Sequence, residues 1–279
     1  MFKVLSQKLD SGLTVVLSPY KTPVTVCCLR GLAGSNFEKK PEIGAAHSLE
    51  HLITYGTKNF PSKYLFRSLV TAKGGRITGT TSREDVAFLT KTLSSDYKRG
   101  VTFLSEIFDK PLLRKDDYNA VKNNIKQEIL SNKEIPYNHL LRTSYKILYP
   151  KQRFETFSTG TIKHVEKMKM ARMKEFHRKY YQPQNFVLAV CGDIRFDELV
   201  RFTNNHTKTK GDKRVESKPP IRYRNLKVQV ERRTLKQTHI KIDFYGFMSS
   251  ERKKYSAYFL ARYLENKLDV WFRYSGVRA

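Results

Sequence analysis

Two histidines four residues apart, with a glutamate directly before the second, are the part of this sequence best suited to chemistry. They are His47, Glu50 and His51, in the stretch GAAHSLEHLITYGT at 44–57. On a helix, positions i and i+4 lie on one face a turn apart, so both imidazoles can reach one ion, and zinc accepts such ligands. Glu50 lies beside that face, where a carboxylate can take a proton from a metal-activated water molecule.

The alternative is an ordinary surface helix that carries two solvated histidines. Two ligands do not make a zinc site, because even a catalytic zinc ion needs three protein ligands. The residues of this stretch alone leave both interpretations open, and a third ligand from elsewhere in the chain is needed to choose between them.

Hydrophobic spacing predicts the elements that must position these residues. Apolar residues at 45, 46, 49, 52 and 53 predict a helix over 44–55. Alternating segments before it predict three strands: FKVLSQKL, LTVVLSP and VTVCCLRGLAGS. Two more strands follow, RITGTTS and DVAFLTKTL, and a buried one at QNFVLAVCGD. The sequence therefore predicts an α+β fold with a mixed or antiparallel sheet packed by helices.

Further helices are predicted between and after these strands. One covers 114–134, with an apolar side formed by Tyr118, Val121, Ile125, Ile129 and Leu130. The others are PSKYLFRSLVTAKGG, SDYKRGVTFLSEIFDKP, IPYNHLLRTSYKILYP, HVEKMKMARMKEFHRKYY and IRFDELVRFTNN.

The polar stretch NHTKTKGDKRVESKPP, at 205–220, predicts a linker. It separates a first domain, 1–204, from residues 221–279, which begin as the first domain does: strands NLKVQVERR and THIKIDFYGF, then a helix SERKKYSAYFLARYLENKL. We interpret residues 221–279 as an incomplete second copy of the first domain.

The charge of the chain is its unusual compositional feature, with 53 Lys and Arg against 26 Asp and Glu, a net charge of +27. This excess raises the alternative of a nucleic-acid binder, but the sequence has no RRM, zinc-finger or helix-turn-helix signature. We therefore expect no nucleic-acid partner. The remaining alternative for the charge is a solvated, lysine-rich surface.

Cysteine content and hydropathy indicate in which cellular compartment the protein is located. The three cysteines include no CxxC pair, which argues against a disulfide framework or a cysteine zinc site and favours buried reduced thiols. No apolar run is long enough to span a membrane, and the start of the chain does not resemble a secretion signal. These features predict a cytoplasmic location, with the mitochondrial matrix as the alternative.

The stretch AAHSLEHLITYGT resembles the active-site helix of the inverted zincins, the metallopeptidases that include pitrilysin, insulin-degrading enzyme and mitochondrial processing peptidase. In that family a glutamate on a later helix is the third zinc ligand. Glu128, in KNNIKQEIL, follows His51 after 76 residues and matches this position. The resemblance implies one Zn²⁺ per chain on His47, His51 and Glu128, with Glu50 as the catalytic base.

Other segments resemble the family in the same order. AKGGRITGTTSREDVAFL is similar to the glycine-turn-strand segment after the zinc helix, and the region from STGTIKHVEK to VCGD is similar to the end of the catalytic domain. The resemblance covers 1–204 well and 221–279 weakly. It implies that substrate adds as a strand at the sheet edge formed by RITGTTSRE, with Gly75, Thr78 and Thr80 as substrate-binding residues.

Two positions depart from the family pattern. A second glutamate usually stands two helical turns before the ligand glutamate, where this chain has Val121. The turn after Gly74-Gly75 usually offers an Asn-Ala pair, where this chain has Thr78-Gly79. Since outer-shell partners orient metal ligands, these changes bear on activity more than on metal binding.

The function that the resemblance implies is zinc-dependent hydrolysis of peptide bonds in a peptide or unfolded protein. Relatives enclose their substrate between two homologous halves, so a second half or a partner subunit is expected. The alternative is a catalytically weak or inactive relative that serves as a structural or partner subunit.

Overall fold

The computed structural model describes residues 4–109, 111–152, 154–211, 215–216, 230, 239–244, 246–247 and 251–275. The chain divides into two compact units, and each is described by itself. The first unit comprises Met1–Leu130 and Thr156–Lys218, and the second comprises Ser131–Glu155 and Pro219–Ala279.

A six-stranded mixed sheet forms the centre of the first unit. Its strands are β1 (Leu5–Lys8), β2 (Thr14–Pro19), β3 (Val24–Gly31), β4 (Arg76–Thr81), β5 (Val86–Leu93) and β6 (Phe186–Gly192). They lie in the order β1-β2-β6-β3-β5-β4, with β2 and β6 parallel and the other neighbouring pairs antiparallel. The predicted α+β fold with a mixed sheet packed by helices is confirmed.

Nine helices occur in the part of the chain that the structure describes. They are α1 (Ala45–Leu52), α2 (Lys63–Thr71), α3 (Tyr97–Asp109), α4 (Lys115–Glu134), α5 (Pro136–Leu148), α6 (Ile162–Lys167), α7 (Met170–Tyr180), α8 (Phe196–His206) and α9 (Lys254–Tyr274). Within the described residues, no helix is both long and apolar enough to cross a membrane.

The sheet buries one face because apolar side chains alternate along its strands. Val15 and Leu17 of β2, Leu29 of β3, Phe88 of β5 and Leu188 of β6 are all at most 1% exposed. Helices α1 and α3 contact strands of this sheet. Since β4 is an edge strand and α1 contacts it, the helix that carries the two histidines lies beside a sheet edge.

The second unit contains α5 and α9. Most side chains of α9 that the structure describes are exposed, including apolar ones such as Tyr258, Phe259 and Trp271. The predicted strand NLKVQVERR lies outside the described residues except for Val230. The predicted strand at THIKIDFYGF is wrong for 239–244, which form no strand, because an alternating pattern makes a strand only where a neighbouring strand pairs with it.

Two helix predictions need correction. The single helix predicted from HVEK to KYY is α6 and α7, because Met168 between them has extended backbone (φ −63°, ψ 127°) and a buried side chain. Leu130 does not share the buried side of α4, since it is 42% exposed while Ile129 is 1% exposed.

The start of the predicted linker is bonded to the first unit. Residues 205 and 206 complete α8. Asp109 accepts hydrogen bonds from the backbone N–H groups of Lys208 and Thr209, both at 3.0 Å, and Asn185 accepts one from Val215 at 2.7 Å. The domain boundaries at 204 and 221 stay a prediction.

Candidate metal centre

Helix α1 presents the two histidines side by side. Their ring centroids are 4.7 Å apart and the rings meet edge to face. His47 is buried, whereas the side chain of His51 is about 30% exposed. Leu49 and Leu52 are buried on the same short helix, so core packing fixes which way the histidines point.

Glu128 reaches the histidines from α4. Its Oε2 atom lies 3.0 Å from Nε2 of His47 and 3.7 Å from Nε2 of His51. Four-residue spacing cannot reveal this neighbour, because 76 residues separate it from His51. Oε2 of Glu128 thus lies near the Nε2 atom of each of the two histidine rings.

Glu50 lies on the sheet side of this group. Its Oε2 atom is 3.7 Å from Nδ1 of His47, and the hydroxyl of Thr81, on β4, donates to the same oxygen at 3.3 Å. Burial raises the pKa of Glu50; the neighbouring His47 and the Thr81 bond oppose that rise, and the Glu128 charge adds to it. Glu50 is thus held close to the histidines with an increased tendency to carry a proton.

Burial has the opposite effect on His51. Desolvation lowers the pKa of His51, and the nearby His47 lowers it further, while Glu128 opposes both. A lowered pKa keeps the imidazole neutral near neutral pH, and the neutral ring is the form that binds a metal ion.

The donor set fits a zinc ion. One ligand atom from each of His47, Glu50 and His51 lies within 4.8 Å of the others, and Glu128 contacts both rings. Two imidazole nitrogens and a carboxylate oxygen are a donor set that catalytic zinc sites use, with the fourth position taken by water or substrate. Which of these residues bind metal stays a prediction.

The rim of the site contains residues that sequence reasoning did not single out. Asn124, one helical turn before Glu128, donates to the hydroxyl of Tyr55 at 3.4 Å. The Lys63 ammonium lies 4.1 Å from the centre of the Tyr55 ring. Val121, where the family resemblance led us to expect a glutamate, is fully buried.

The pleat of β4 separates the predicted substrate residues from Glu50. Thr78 and Thr80 pair with Leu89 and Ala87, on the face away from Glu50. Gly75 directly precedes β4 and is half-buried. The prediction that these three residues bind substrate is untested by this arrangement.

Gly79 and Thr81 lie on the other face of β4, towards α1. A Cβ atom added to Gly79 would collide with the carboxylate of Glu50, so the glycine gives that carboxylate its space. Sequence reasoning missed both residues. Strand alternation puts 79 and 81 on one face and 78 and 80 on the other, but does not say which face meets the helix.

A separate cleft of about 810 Å³ contains none of the candidate metal ligands. It is lined by residues that include Lys8, Arg30, Asp85 and Lys210, and Arg30 and Asp85 form an ion pair at 2.7 Å. The donor atoms of His47, His51 and Glu128 converge on one point, which makes the metal centre the better candidate for the functional site.

Two family models match the chain. Residues 15–156 match "Insulinase (Peptidase family M16)", and residues 167–275 match "Peptidase M16 inactive domain". The two matches together span most of the chain.

Individual proteins are similar over much of this chain but over less of their own length. Human cytochrome b-c1 complex subunit 1, mitochondrial, is 26% identical over 85% of this chain and 50% of its own. The beta subunit of mitochondrial-processing peptidase from Saccharomyces cerevisiae is 27% identical over 72% and 44%. The chain thus spans about half the length of these relatives, or less.

The fold has a counterpart among solved structures. A protease from Helicobacter pylori superimposes with a TM-score of 0.73 at 24% identity, over 80% of this chain and 55% of that one. At this level of identity the likeness shows the fold alone.

Proposed function

Because the chain belongs to the insulinase family, peptidase family M16, we propose that it is a zinc-dependent endopeptidase. The observation that carries the proposal is the approach of Glu128 to both histidines of α1. In this proposal His47, His51 and Glu128 hold one Zn²⁺ per chain, and the fourth position is left for water or substrate.

A zinc ion held by these residues would supply Lewis-acid chemistry, which polarises a scissile carbonyl and lowers the pKa of a bound water to about 7. Glu50 is the proposed general base: it takes a proton from the attacking water and delivers it to the leaving amine nitrogen. The burial that raises the pKa of Glu50 supports this role, because a base works best with a pKa near the operating pH. The Thr81 hydroxyl bond holds the carboxylate in position.

Strand β4 is the proposed site of substrate binding. It lies at the edge of the sheet and α1 contacts it, so a peptide or unfolded protein can add as a further strand next to Glu50. Main-chain hydrogen bonds would give this interaction loose sequence specificity. Gly75, Thr78 and Thr80 would then contribute mainly through their backbone, since the two threonine side chains face away from Glu50.

A second homologous half or a partner subunit is proposed to complete the substrate chamber. The chain spans half or less of the length of the relatives described above, and one of these is a named subunit of a processing peptidase. We propose a cytoplasmic location, with the mitochondrial matrix as the alternative that the names of these relatives favour.

The second candidate function is a catalytically weak or inactive partner subunit. It is favoured by the similarity to subunit 1 of the cytochrome b-c1 complex and by Val121, which cannot orient a metal ligand as a glutamate would. The presence of all four residues His47, Glu50, His51 and Glu128 favours the peptidase.

Cleavage of an unstructured peptide, with zinc content measured in parallel, tests the proposal. We expect the wild-type chain to bind zinc and cleave, a chelator to stop cleavage, and Glu50→Gln to lose cleavage while it keeps zinc. Zinc binding without cleavage by the wild type, alone or with its partner, would favour the second candidate. Full hydrolysis by Glu50→Gln would contradict the assigned base.

A further inference from the structure

The start of α1 has no capping side chain of its own. The N-cap residue is Gly44, whose φ of 89° and ψ of 1° are left-handed. Helices commonly begin with Ser, Thr, Asp or Asn, whose side chain accepts a hydrogen bond from an N–H group of the first turn. A glycine has no such acceptor, so the first N–H groups of α1 need another partner.

Glu38, six residues before Gly44, is that partner. Its Oε2 atom accepts a hydrogen bond from the Gly44 N–H at 3.0 Å, and its Oε1 atom accepts one from the Ala46 N–H at 2.8 Å. Both oxygens of one carboxyl group therefore bind the end of one helix. Ala46 immediately precedes His47, so this contact is one residue away from the first candidate zinc ligand.

The surroundings of Glu38 favour this arrangement over a solvated one. The Glu38 side chain is partly buried, and desolvation raises the pKa of its carboxyl to about 8 in spite of the two backbone bonds; the nearby Glu42 adds to the rise and Arg83 opposes it. Arg83 in turn donates to the backbone carbonyl of Thr156. Glu38 thus binds the start of α1 and lies within the electrostatic influence of Arg83, in the turn that joins β4 to β5.

We propose that Glu38 is a positioning residue that sets the location of α1, and so of its two histidines, relative to Glu128 on α4. The inference rests on the zinc site proposed above. It goes beyond that proposal because Glu38 touches neither metal nor substrate and acts through the backbone of the helix.

The length of α1 makes this contact effective. The helix has eight residues, and His47 lies within its first turn, about 4.5 Å along the axis from Gly44. Metal–ligand distances tolerate only about 0.2 Å of error. A small shift of the helix start therefore changes the fit of the histidines to a metal that Glu128 also binds.

Zinc affinity of the variant Glu38→Gln, measured by competition with a chelator, tests this inference. An amide offers one acceptor oxygen where the carboxyl offers two, so one backbone N–H loses its bond. We expect zinc to bind 10- to 100-fold more weakly, the range found when residues that support metal ligands are changed. The spectrum of bound Co²⁺ should change as well, because it reports ligand geometry.

Glu42→Gln is the matched control. Glu42 is a buried glutamate that accepts a backbone hydrogen bond from Lys39 at 3.0 Å, within the turn that precedes α1. We expect this variant to bind zinc within about twofold of wild type, even if its unfolding temperature falls as much as that of Glu38→Gln.

The outcomes separate this inference from the proposed function. If wild type binds zinc and Glu38→Gln binds it equally well, or if both variants weaken binding alike, the positioning role is wrong and the zinc site stands. If wild type binds no zinc, both the positioning role of Glu38 and the proposed zinc site are wrong. Should Glu38→Gln not fold, Glu38→Asp, which keeps the carboxyl group but withdraws its oxygens from the helix, is judged by the same criteria.

Discussion

The two helices that supply the candidate zinc ligands are stabilised in different ways. Every residue of α1 except His51 is buried, and the helix has only eight residues. Helix α4 has twenty residues, of which four are buried. Because an isolated helix as short as α1 is marginal in water, α1 depends on its neighbours far more than α4 does. Changes in α1 should therefore affect stability and metal binding together, whereas changes in α4 should separate them.

Glu128→Gln, in α4, should separate the effect on zinc binding from the effect on stability most clearly. We expect zinc affinity to fall by more than about 100-fold, since a ligand is lost rather than a supporting residue. The Glu128 side chain is about one-third exposed, so the unfolding free energy of the metal-free chain should change by less than about 0.5 kcal/mol. Chelator competition and urea unfolding measure the two quantities.

His47→Ala is the matched change in α1, and it should lower both zinc affinity and stability, because His47 is buried. Equal stability losses in His47→Ala and Glu128→Gln would remove the distinction between the two helices.

Two neighbouring residues of α4 test how narrow its buried stripe is. Ile129→Ala should cost about 2–4 kcal/mol of unfolding free energy, because Ile129 is 1% exposed. Leu130→Ala should cost no more than about 0.5 kcal/mol, because Leu130 is 42% exposed. Urea unfolding of the two variants decides this, and similar losses would contradict the assigned helix face.

The pH dependence of stability tests how α1 depends on Glu38. Its pKa is about 8 in the folded chain and 4.5 as a model value, so the folded chain holds this proton where the unfolded chain has released it. The stabilising contribution is complete below about pH 4.5 and is lost as pH rises through about 8, at roughly 1.4 kcal/mol per unit of pKa difference.

Urea unfolding of metal-free wild type and Glu38→Gln at pH 5.5 and 8 measures this contribution. We expect stability to fall with pH more steeply in wild type than in the variant. Parallel pH profiles would show that the pKa of Glu38 is not raised in the folded chain.

Thr81→Val should give the smallest effect. The variant loses the hydroxyl that donates to Glu50 at 3.3 Å but keeps the shape of the side chain. A hydrogen bond of this kind contributes about 1 kcal/mol, so we expect peptide cleavage to slow about fivefold with zinc affinity unchanged. Thr71→Val, which loses a hydroxyl bond to the Arg67 carbonyl on the exposed side of α2, is the control and should leave the rate within twofold of wild type. Equal effects would contradict the role assigned to the Thr81 hydroxyl.

The sequence predicted the part of the site that depends on local geometry. The spacing of His47 and His51 fixes their common face once α1 is a helix. Glu128 was reached only through the family resemblance, because its approach depends on how α4 packs. Leu130 was assigned to the wrong face, although its exposure follows from helical spacing relative to Val121, Ile125 and Ile129.

Other parts of the site depend on tertiary structure that no local pattern reveals. Gly79 and Thr81 were missed because identifying them required knowing which face of β4 meets α1. Glu38 was missed because it caps the helix from six residues upstream, through the path of an irregular loop. In each case the chemistry of the site determines which type of residue is needed, and tertiary packing determines which position in the chain supplies it.

Zinc stoichiometry of the purified chain is the most direct test of the central account, in which α1 and α4 together hold one metal ion. The account predicts one zinc ion per wild-type chain and a loss of bound zinc in both His51→Ala and Glu128→Gln under the same dialysis. A wild-type chain that retains no zinc, or a Glu128→Gln variant that holds it as tightly as wild type, would contradict the account.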